Sequence, residues 1–448
     1  MKFKTTLILA LVLAVGIVAV VLLNKQEEKK QKAKERASRI LNIQQDDVTE
    51  LLLQPKGIHC VRDSVEWRII NPVRTRGDKN AIESVIGLFE RANQERVVSS
   101  NPDDYQKFGL APPSASFILV HASGTDTIYV GDESPTGSFV FARQSGSPDV
   151  FLTTTTLKNN AEKELFDLRD KKALGFDKNT IHSLTLNNRH GRFVLKRNAG
   201  AWQLVQPGEY ETAQSDVRTL VNRLSSENVN EYVNESPESL RAYGLADPSM
   251  RVTVTFRNGA SKSLMIGNQK GKEYYAKDDT RNPVFVVDTS FVSLFDKSLY
   301  DLRNKQLTDF MSNDVQKFSL MFDDMTIECV KDTAGNWFLT KPEERKAKNW
   351  KISSITRKAA QLEVARFVDD DPSSLSPYGL DDPEARAVFY NENDQILVEL
   401  LLGHIRGDQV YAKTAASDAV YMLEESVLNV FTPELNVISE TEPVEENN

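Results

Sequence analysis

The feature that most constrains this chain is a threefold internal repeat with a constant spacing. Trp67, Trp202 and Trp337 stand at equal intervals, and each begins a short motif that ends in proline: WRIINP, WQLVQP or WFLTKP. A second motif, aromatic-Gly-Leu-x-x-Pro, keeps this repeat interval, with glycines at Gly109, Gly244 and Gly379 and final prolines at Pro113, Pro248 and Pro383. Because a long fixed period marks duplicated structural units, the sequence predicts three copies of one fold.

The pattern within each copy predicts an α+β unit. In the second copy, Arg251–Phe256 alternates between apolar and polar residues, Asn258-Gly259 supplies a turn, and Ser261–Ile266 returns, which is typical of a β-hairpin. Between the two motifs, apolar residues at i, i+3, i+4 and i+7 indicate an amphipathic helix, and a short helix is expected to close each unit. We therefore predict an antiparallel sheet with two helices, repeated in segments 47–174, 181–307 and 315–432.

The ends of the copies differ in an informative way. The first two copies close on Asp167-Leu168-Arg169-Asp170-Lys171 and Asp301-Leu302-Arg303-Asn304-Lys305, and the third lacks this ending. An ending that is present in every copy except the last suits a contact with the next copy. We therefore predict that Arg169 and Arg303 lie at joints between neighbouring copies. The alternative is a helix end at which basic residues complement the dipole.

The two termini carry segments of a different character. Segment 6–23 is apolar and contains no charged residue, which predicts a transmembrane signal anchor after a short tail of residues 1–5. A cleaved signal peptide is the alternative. Segment 24–46 is polar and rich in helix-forming residues, so we expect a helical stalk there. The acidic segment 433–448 is expected to be disordered.

Composition excludes several functional classes. A formal charge of −9 disfavours a general nucleic-acid binder, because phosphate contacts require concentrated Lys and Arg. The only two cysteines, Cys60 and Cys329, fall on equivalent strands of two copies, with Val194 at the matching place in the second copy, and are interpreted as small buried hydrophobes. The five histidines show no metal-ligand spacing, so we expect neither a metal site nor a cofactor.

No sequence motif singles out a catalytic residue. There is no G-x-S-x-G elbow, and the GDESPTGS segment lacks the spacing and the lysine of a phosphate loop, which favours a turn. The three repeated tryptophans are interpreted as core residues, with a sugar-stacking ladder as the alternative. Trp350 breaks the period at the start of a helix, and we predict that it is exposed and contacts a partner.

These motifs together resemble a bacterial family known as DUF4340, a domain of unknown function. The resemblance covers nearly everything from Val48 to Phe431 and is closest in the second copy, at Tyr243-Gly244-Leu245-Ala246-Asp247-Pro248, Ile266-Gly267, Tyr275-Ala276-Lys277 and Asp301-Leu302-Arg303. The first copy departs from the pattern with Phe108 in place of tyrosine and with Ala111-Pro112 in place of an acidic turn. The resemblance implies a membrane-anchored protein, often associated with ABC-type export systems of the gliding-motility type, and it implies no catalytic residues.

These observations lead to a functional hypothesis with two alternatives. We expect a non-enzymatic accessory or scaffold protein of the cell envelope with a protein partner, such as ABC-transporter subunits. The charge distribution around segment 6–23 leaves the orientation open, with two lysines before it and seven basic residues after it. The resemblance implies a single-pass protein of the cytoplasmic (inner) membrane with a periplasmic body. The alternatives are a carbohydrate or cell-wall binding module and a hydrolase with an unrecognised carboxylate site.

Overall fold

The structure, a computed structural model, describes residues 24–27, 30, 37–64 and 66–440. The predicted tail 1–5 and membrane anchor 6–23 lie outside these residues. Among the helices of the described part, none combines the length and the apolar character that crossing a membrane requires.

Three antiparallel sheets of nine strands each dominate the fold, which confirms the prediction of a repeated α+β unit. The first sheet has the hydrogen-bonded order β4-β3-β2-β1-β6-β7-β8-β9-β5. Its strands are β1 Val48–Gln54, β2 Ile58–Asp63, β3 Glu66–Asn71, β4 Thr75–Arg76, β5 Arg96–Ser99, β6 Ala115–His121, β7 Gly124–Glu133, β8 Phe139–Gln144 and β9 Val150–Thr154.

The other two sheets repeat this order strand for strand, as β13-β12-β11-β10-β15-β16-β17-β18-β14 and β22-β21-β20-β19-β24-β25-β26-β27-β23. The second sheet contains β10 Ile181–Asn188, β11 Gly191–Asn198, β12 Ala201–Gln206, β13 Tyr210–Glu211, β14 Glu231–Asn234, β15 Met250–Phe256, β16 Ser261–Lys270, β17 Glu273–Asp278 and β18 Val284–Asp288. The third contains β19 Lys317–Phe322, β20 Met325–Lys331, β21 Trp337–Lys341, β22 Arg345–Lys346, β23 Arg366–Asp369, β24 Ala385–Tyr390, β25 Ile396–Arg406, β26 Gln409–Thr414 and β27 Val420–Glu424.

One long helix connects the two edge strands of each sheet. In the first repeat, helix Lys79–Arg91 leads from β4 to β5 and buries Ile82, Val85, Ile86 and Phe89. Asp78 caps its N-terminus by accepting a hydrogen bond from the backbone of Ala81 at 3.1 Å. The apolar stripe at helical spacing therefore packs into the core, as its period predicts.

Each repeat carries three α-helices rather than the two that the sequence predicts. The closing segment divides into two short helices because the chain turns between them. The helices are Lys79–Arg91, Thr156–Ala161 and Leu165–Leu168 in the first repeat, Gln214–Ser226, Thr289–Phe295 and Leu299–Leu302 in the second, and Asn349–Ala360, Ser426–Phe431 and Leu435–Ile438 in the third. Short 3-10 turns lie at Gln45–Asp47, Pro102–Phe108, Lys178–Thr180, Arg241–Tyr243, Ser312–Asp314 and Ser376–Tyr378.

The chain divides into two compact units. The first is built on the first sheet and includes the segments Asn228–Pro237 and Pro283–Val286. The second comprises Ala173–Glu227, Glu238–Asn282 and the described residues from Val287 onward.

Two predictions about segments outside the sheets are wrong in part. The predicted stalk does not extend to residue 46, because Ile40, Leu41 and Ile43 are buried in the first core. The predicted disordered tail does not begin at residue 433, because helix Leu435–Ile438 buries Ile438, whose carbonyl accepts a hydrogen bond from the Lys348 backbone at 2.8 Å. In both segments a few apolar residues among many polar ones provide the packing. Residues 441–448 lie outside the described part.

Candidate functional site

The repeated tryptophans all lie in the cores. Trp67, Trp202 and Trp337 are 1%, 5% and 3% exposed. Each stands near the start of the third strand of its sheet, on the strand face that packs against the long helix. Trp67 also donates a hydrogen bond to Glu83 of that helix at 3.3 Å. Buried side chains cannot present a stacking face to a sugar, so these residues stabilise the fold.

The aromatic-Gly-Leu motif forms a close contact between a turn and a strand in every repeat. Gly244 ends a 3-10 turn with φ +69°, a left-handed conformation that favours glycine. Gly267 lies opposite on the returning strand, where an added Cβ would stand 2.1 Å from the carbonyl oxygen of Tyr243. The equivalent distances at Gly131 and Gly403 are 2.1 and 2.2 Å. The motif therefore serves to hold the turn against the sheet.

A buried arginine links the end of the first repeat to the second. The Arg169 side chain is 2% exposed, and its Nη1 and Nη2 donate to the carboxylate of Glu235 at 2.5 and 3.2 Å. Its guanidinium lies 3.3 Å from the ring centroid of Tyr232, and Nη2 also approaches the Thr75 hydroxyl at 3.5 Å. A bidentate carboxylate on one side and an aromatic face on the other are the contacts that arginine makes best.

The same arrangement links the second repeat to the third. Arg303 donates to both oxygens of Asp370, at 3.1 and 2.7 Å. Its guanidinium lies between Phe367, at 3.6 Å from the ring centroid, and Tyr210, at 4.1 Å. Burial raises the pKa of the Tyr210 hydroxyl, and the Asp370 carboxylate raises it further. Both arginines that the sequence places at joints therefore contact the following repeat.

A short stretch of backbone pairing accompanies each arginine. The Lys171 carbonyl accepts from Val229 at 2.7 Å, and the Lys305 carbonyl accepts from Val364 at 2.8 Å. The segment before the first repeat makes the same pairing, since Gln94 donates to the Ser38 carbonyl at 2.6 Å. This pairing explains why residues 38–46 pack as the tail of a preceding repeat would, instead of continuing a stalk.

The third repeat keeps the closing helix but not the arginine. Ser439 stands where Arg169 and Arg303 stand, and it forms the equivalent backbone bridge, to Ala347. Sequence reasoning missed this helix, because Leu435-Asn-Val-Ile438 shares only its apolar ends with the other two copies.

The two cysteines are buried in the cores of the first and third repeats. Burial raises the pKa of the Cys60 and Cys329 thiols to about 12. The register places Leu195, rather than the expected Val194, at the equivalent position of the second sheet, because Cys60 faces Ile69 and Leu195 faces Leu204. Within the described residues, no three His, Cys, Asp or Glu side chains come together in a way that could hold a metal ion.

Exposed apolar side chains concentrate in and beside the third repeat. Six of the nine large hydrophobic residues that are exposed in the described part of the chain lie there: Met311, Phe338, Trp350, Ile396, Ile405 and Val437. Trp350 is 67% exposed at the start of helix Asn349–Ala360. Asn80 and Ser215 occupy the equivalent positions of the first two repeats, so the fold does not require tryptophan there.

Sequence reasoning identified the arginines of the joints but missed their partners. Glu235 and Asp370 stand one repeat interval apart, as do Tyr232 and Phe367, and this spacing is the signal that could have found them. The first repeat has Ser100 and Val97 at these positions. The partner positions therefore carry different residue types in the three copies, and the equivalence of the second and third copies is not evident from the sequence.

Comparison with known proteins identifies a family but no activity. The family described as Domain of unknown function (DUF4340) matches residues 67–201, 202–336 and 337–447, so each matched segment begins at a repeated tryptophan. No curated protein matches the chain significantly. A crystal structure described as a putative DNA polymerase III beta subunit from Eubacterium rectale ATCC 33656 aligns over 86% of this chain and 92% of that chain, with 8% identity and a TM-score of 0.13, which is too low to support any argument.

Proposed function

The chain belongs to the DUF4340 family, and from this premise we propose that it is a membrane-anchored, non-enzymatic scaffold protein of the cell envelope that holds a protein partner through its third repeat. The apolar segment 6–23 serves as the anchor, and the three repeats form a body on the extracytoplasmic side of the inner membrane. The partner to test first is a subunit of an ABC-type transport system.

The distribution of exposed apolar side chains carries this proposal. Aromatic residues are enriched at the centres of protein interfaces, and a solvated tryptophan gains the most from being covered. Trp350 is 67% exposed, whereas its equivalents Asn80 and Ser215 are polar. A residue that the repeated fold does not need, placed where water reaches it, is best explained by a partner.

The joints support a scaffold for a different reason. Arg169 and Arg303 are largely buried and tied to carboxylates of the following repeat. An ion pair of this kind fixes the geometry between the elements that carry it. The repeated residues are thus used to build and connect the units, and the exposed residues of the third repeat remain for binding.

Site-directed crosslinking tests the proposal. A photoreactive residue at position 350 of the full-length anchored chain is expected to capture a membrane-associated protein, with transporter subunits among the adducts. The matched control places the same probe at position 215, the equivalent exposed position of the second repeat, where we expect no adduct. Absence of a protein adduct at 350 would contradict the proposed partner surface.

The compartment requires a separate measurement. Protease added to intact spheroplasts is expected to digest the body, because we propose that it lies outside the cytoplasmic membrane. A body that is digested only after the spheroplasts are lysed would show that the repeats lie on the cytoplasmic side.

A further inference from the structure

A basic groove of about 430 Å³ lies at one edge of the first sheet. It is lined by residues of strands β3 and β4 and the loop between them: Glu66, Arg68, Ile69, Ile70, Arg74, Thr75 and Arg76. Three of these residues are arginines and one is acidic, so the lining carries a net positive charge in a chain whose formal charge is −9.

Two of the three arginines are not neutralised. Arg68 pairs with Asp63 at 3.2 Å. Arg74 and Arg76 are exposed, and within the described part of the chain their guanidinium groups make no hydrogen bond or ion pair. Arginine forms paired hydrogen bonds to phosphate and carboxylate oxygens, so the exposed guanidinium groups of Arg74 and Arg76 suit an anionic ligand.

The other repeats show that the fold does not require these arginines. The residues equivalent to Arg68, Arg74 and Arg76 are Gln203, Glu209 and Glu211 in the second repeat and Phe338, Glu344 and Lys346 in the third. All three positions keep the same place on the third and fourth strands of their sheets or on the loop between them. The charge therefore changes sign between the first and second repeats while the backbone is conserved, which separates the role of these side chains from folding.

The groove also has an apolar side. Ile70 is 42% exposed, and it lines the groove together with the arginines. An occupant that combines an anionic phosphate with apolar carbon matches this lining better than a fully hydrated ion. Among the three repeats, the first lies nearest in sequence to the proposed membrane anchor.

We propose that this groove binds the phosphate headgroup of an anionic phospholipid and holds the first repeat against the membrane surface. This inference rests on the proposed anchor and adds a second, reversible contact to it. Arg74 and Arg76 bind the phosphate, and Ile70 contacts the glycerol or upper acyl carbons. Each arginine near an anionic surface contributes roughly a fivefold gain in binding.

A fluorescent reporter in the groove tests the proposal. The variant Ile70→Cys, in the full-length chain, is labelled with an environment-sensitive dye; Cys60 and Cys329 are buried and do not compete for it. The chain is reconstituted in nanodiscs of phosphatidylcholine, with or without phosphatidylglycerol. Phosphatidylglycerol is expected to shift the emission to shorter wavelength. Arg74→Glu with Arg76→Glu, which copies the second repeat, should lower the affinity for phosphatidylglycerol that is read from this shift at least about tenfold.

Control measurements distinguish a lipid headgroup from a soluble anion as the ligand of the groove. A dye at position 205, the equivalent position of the second repeat, should not respond to phosphatidylglycerol. A response to inorganic phosphate without a response to phosphatidylglycerol would overturn the lipid assignment in favour of a soluble anion. An emission that ignores both would overturn the anion site. If the chain does not stay in the nanodiscs, the proposal that segment 6–23 anchors it is wrong. The emission of the soluble chain after phosphatidylglycerol nanodiscs are added then still tests whether the groove binds lipid.

Discussion

Removal of the Arg169 guanidinium should loosen the first joint far more than the second. In Arg169→Ala, two charge-assisted hydrogen bonds to Glu235 and the stacking on Tyr232 are lost. Breaking a buried ion pair destabilises by about 3–5 kcal/mol. Two features place this case at the lower end, near about 3 kcal/mol. Glu235 is 36% exposed and can be hydrated once it is unpaired, and the Arg169 Nε has no hydrogen-bond partner among the described residues.

Local hydrogen exchange is the suitable assay, because repeated domains do not unfold in one two-state step. The Val229 amide donates to the Lys171 carbonyl at 2.7 Å and reports opening of the joint. A loss of about 3 kcal/mol predicts exchange about a hundredfold faster at this amide. The Val364 amide, which makes the equivalent bond at the second joint, serves as the internal control and should not change.

Arg169→Lys separates geometry from charge. Lysine keeps the positive charge but cannot form the bidentate pair or stack as a plane on Tyr232, so we expect an intermediate acceleration. An increase of less than threefold at Val229 in Arg169→Ala would refute the reasoning, because it would mean that the backbone pairing alone holds the joint. Equal acceleration at Val229 and Val364 would refute it as well, since the effect would then be global.

Three further predictions concern the core and its contacts. Trp67→Ala should lower the free energy of unfolding of the first repeat by about 3–5 kcal/mol, as measured by hydrogen exchange of the core amides of that repeat. Trp350→Ala should change the free energy of unfolding of the third repeat by less than about 0.5 kcal/mol in the same measurement. Gly267→Ala should destabilise the second repeat in the same hydrogen-exchange measurement, because its Cβ would stand 2.1 Å from a backbone carbonyl oxygen. Iodoacetamide should leave Cys60 and Cys329 unmodified in the folded protein and should react with both after unfolding. Burial raises the folded pKa of these thiols to about 12 from the ordinary 9.0, so the thiols are neutral in both states below pH 9, and the fold loses stability as the pH rises from 9 toward 12.

The sequence predicts the repeated unit well because its signals are local and occur three times. The hairpin Arg251–Phe256 and Ser261–Ile266 corresponds to strands β15 and β16, and the apolar stripe of helix Lys79–Arg91 is buried as its period predicts. Strands β4 and β5 escape prediction because two and four residues are too short to show an alternating pattern. They form the two opposite edges of the sheet, and the long helix lies between them in the chain.

The joints show a second limit of sequence reasoning. The arginines can be placed at the repeat ends because they recur, but Glu235 and Asp370 lie far along the chain, beyond the long helix of the following repeat. Nothing local to a carboxylate marks it as the partner of a distant guanidinium. The prediction of a stalk over residues 40–43 fails for the same reason. Their burial depends on Ala92 and on other residues that lie far along the chain.

The three repeats provide internal controls for the contact that the buried arginines make. At the first repeat, Val97 and Ser100 replace the aromatic residue and the carboxylate that receive an arginine elsewhere, and Val97 is 46% exposed. At the last repeat, Ser439 replaces the arginine itself. The first and third repeats therefore lack complementary halves of this contact: the first lacks the aromatic residue and the carboxylate, and the third lacks the arginine.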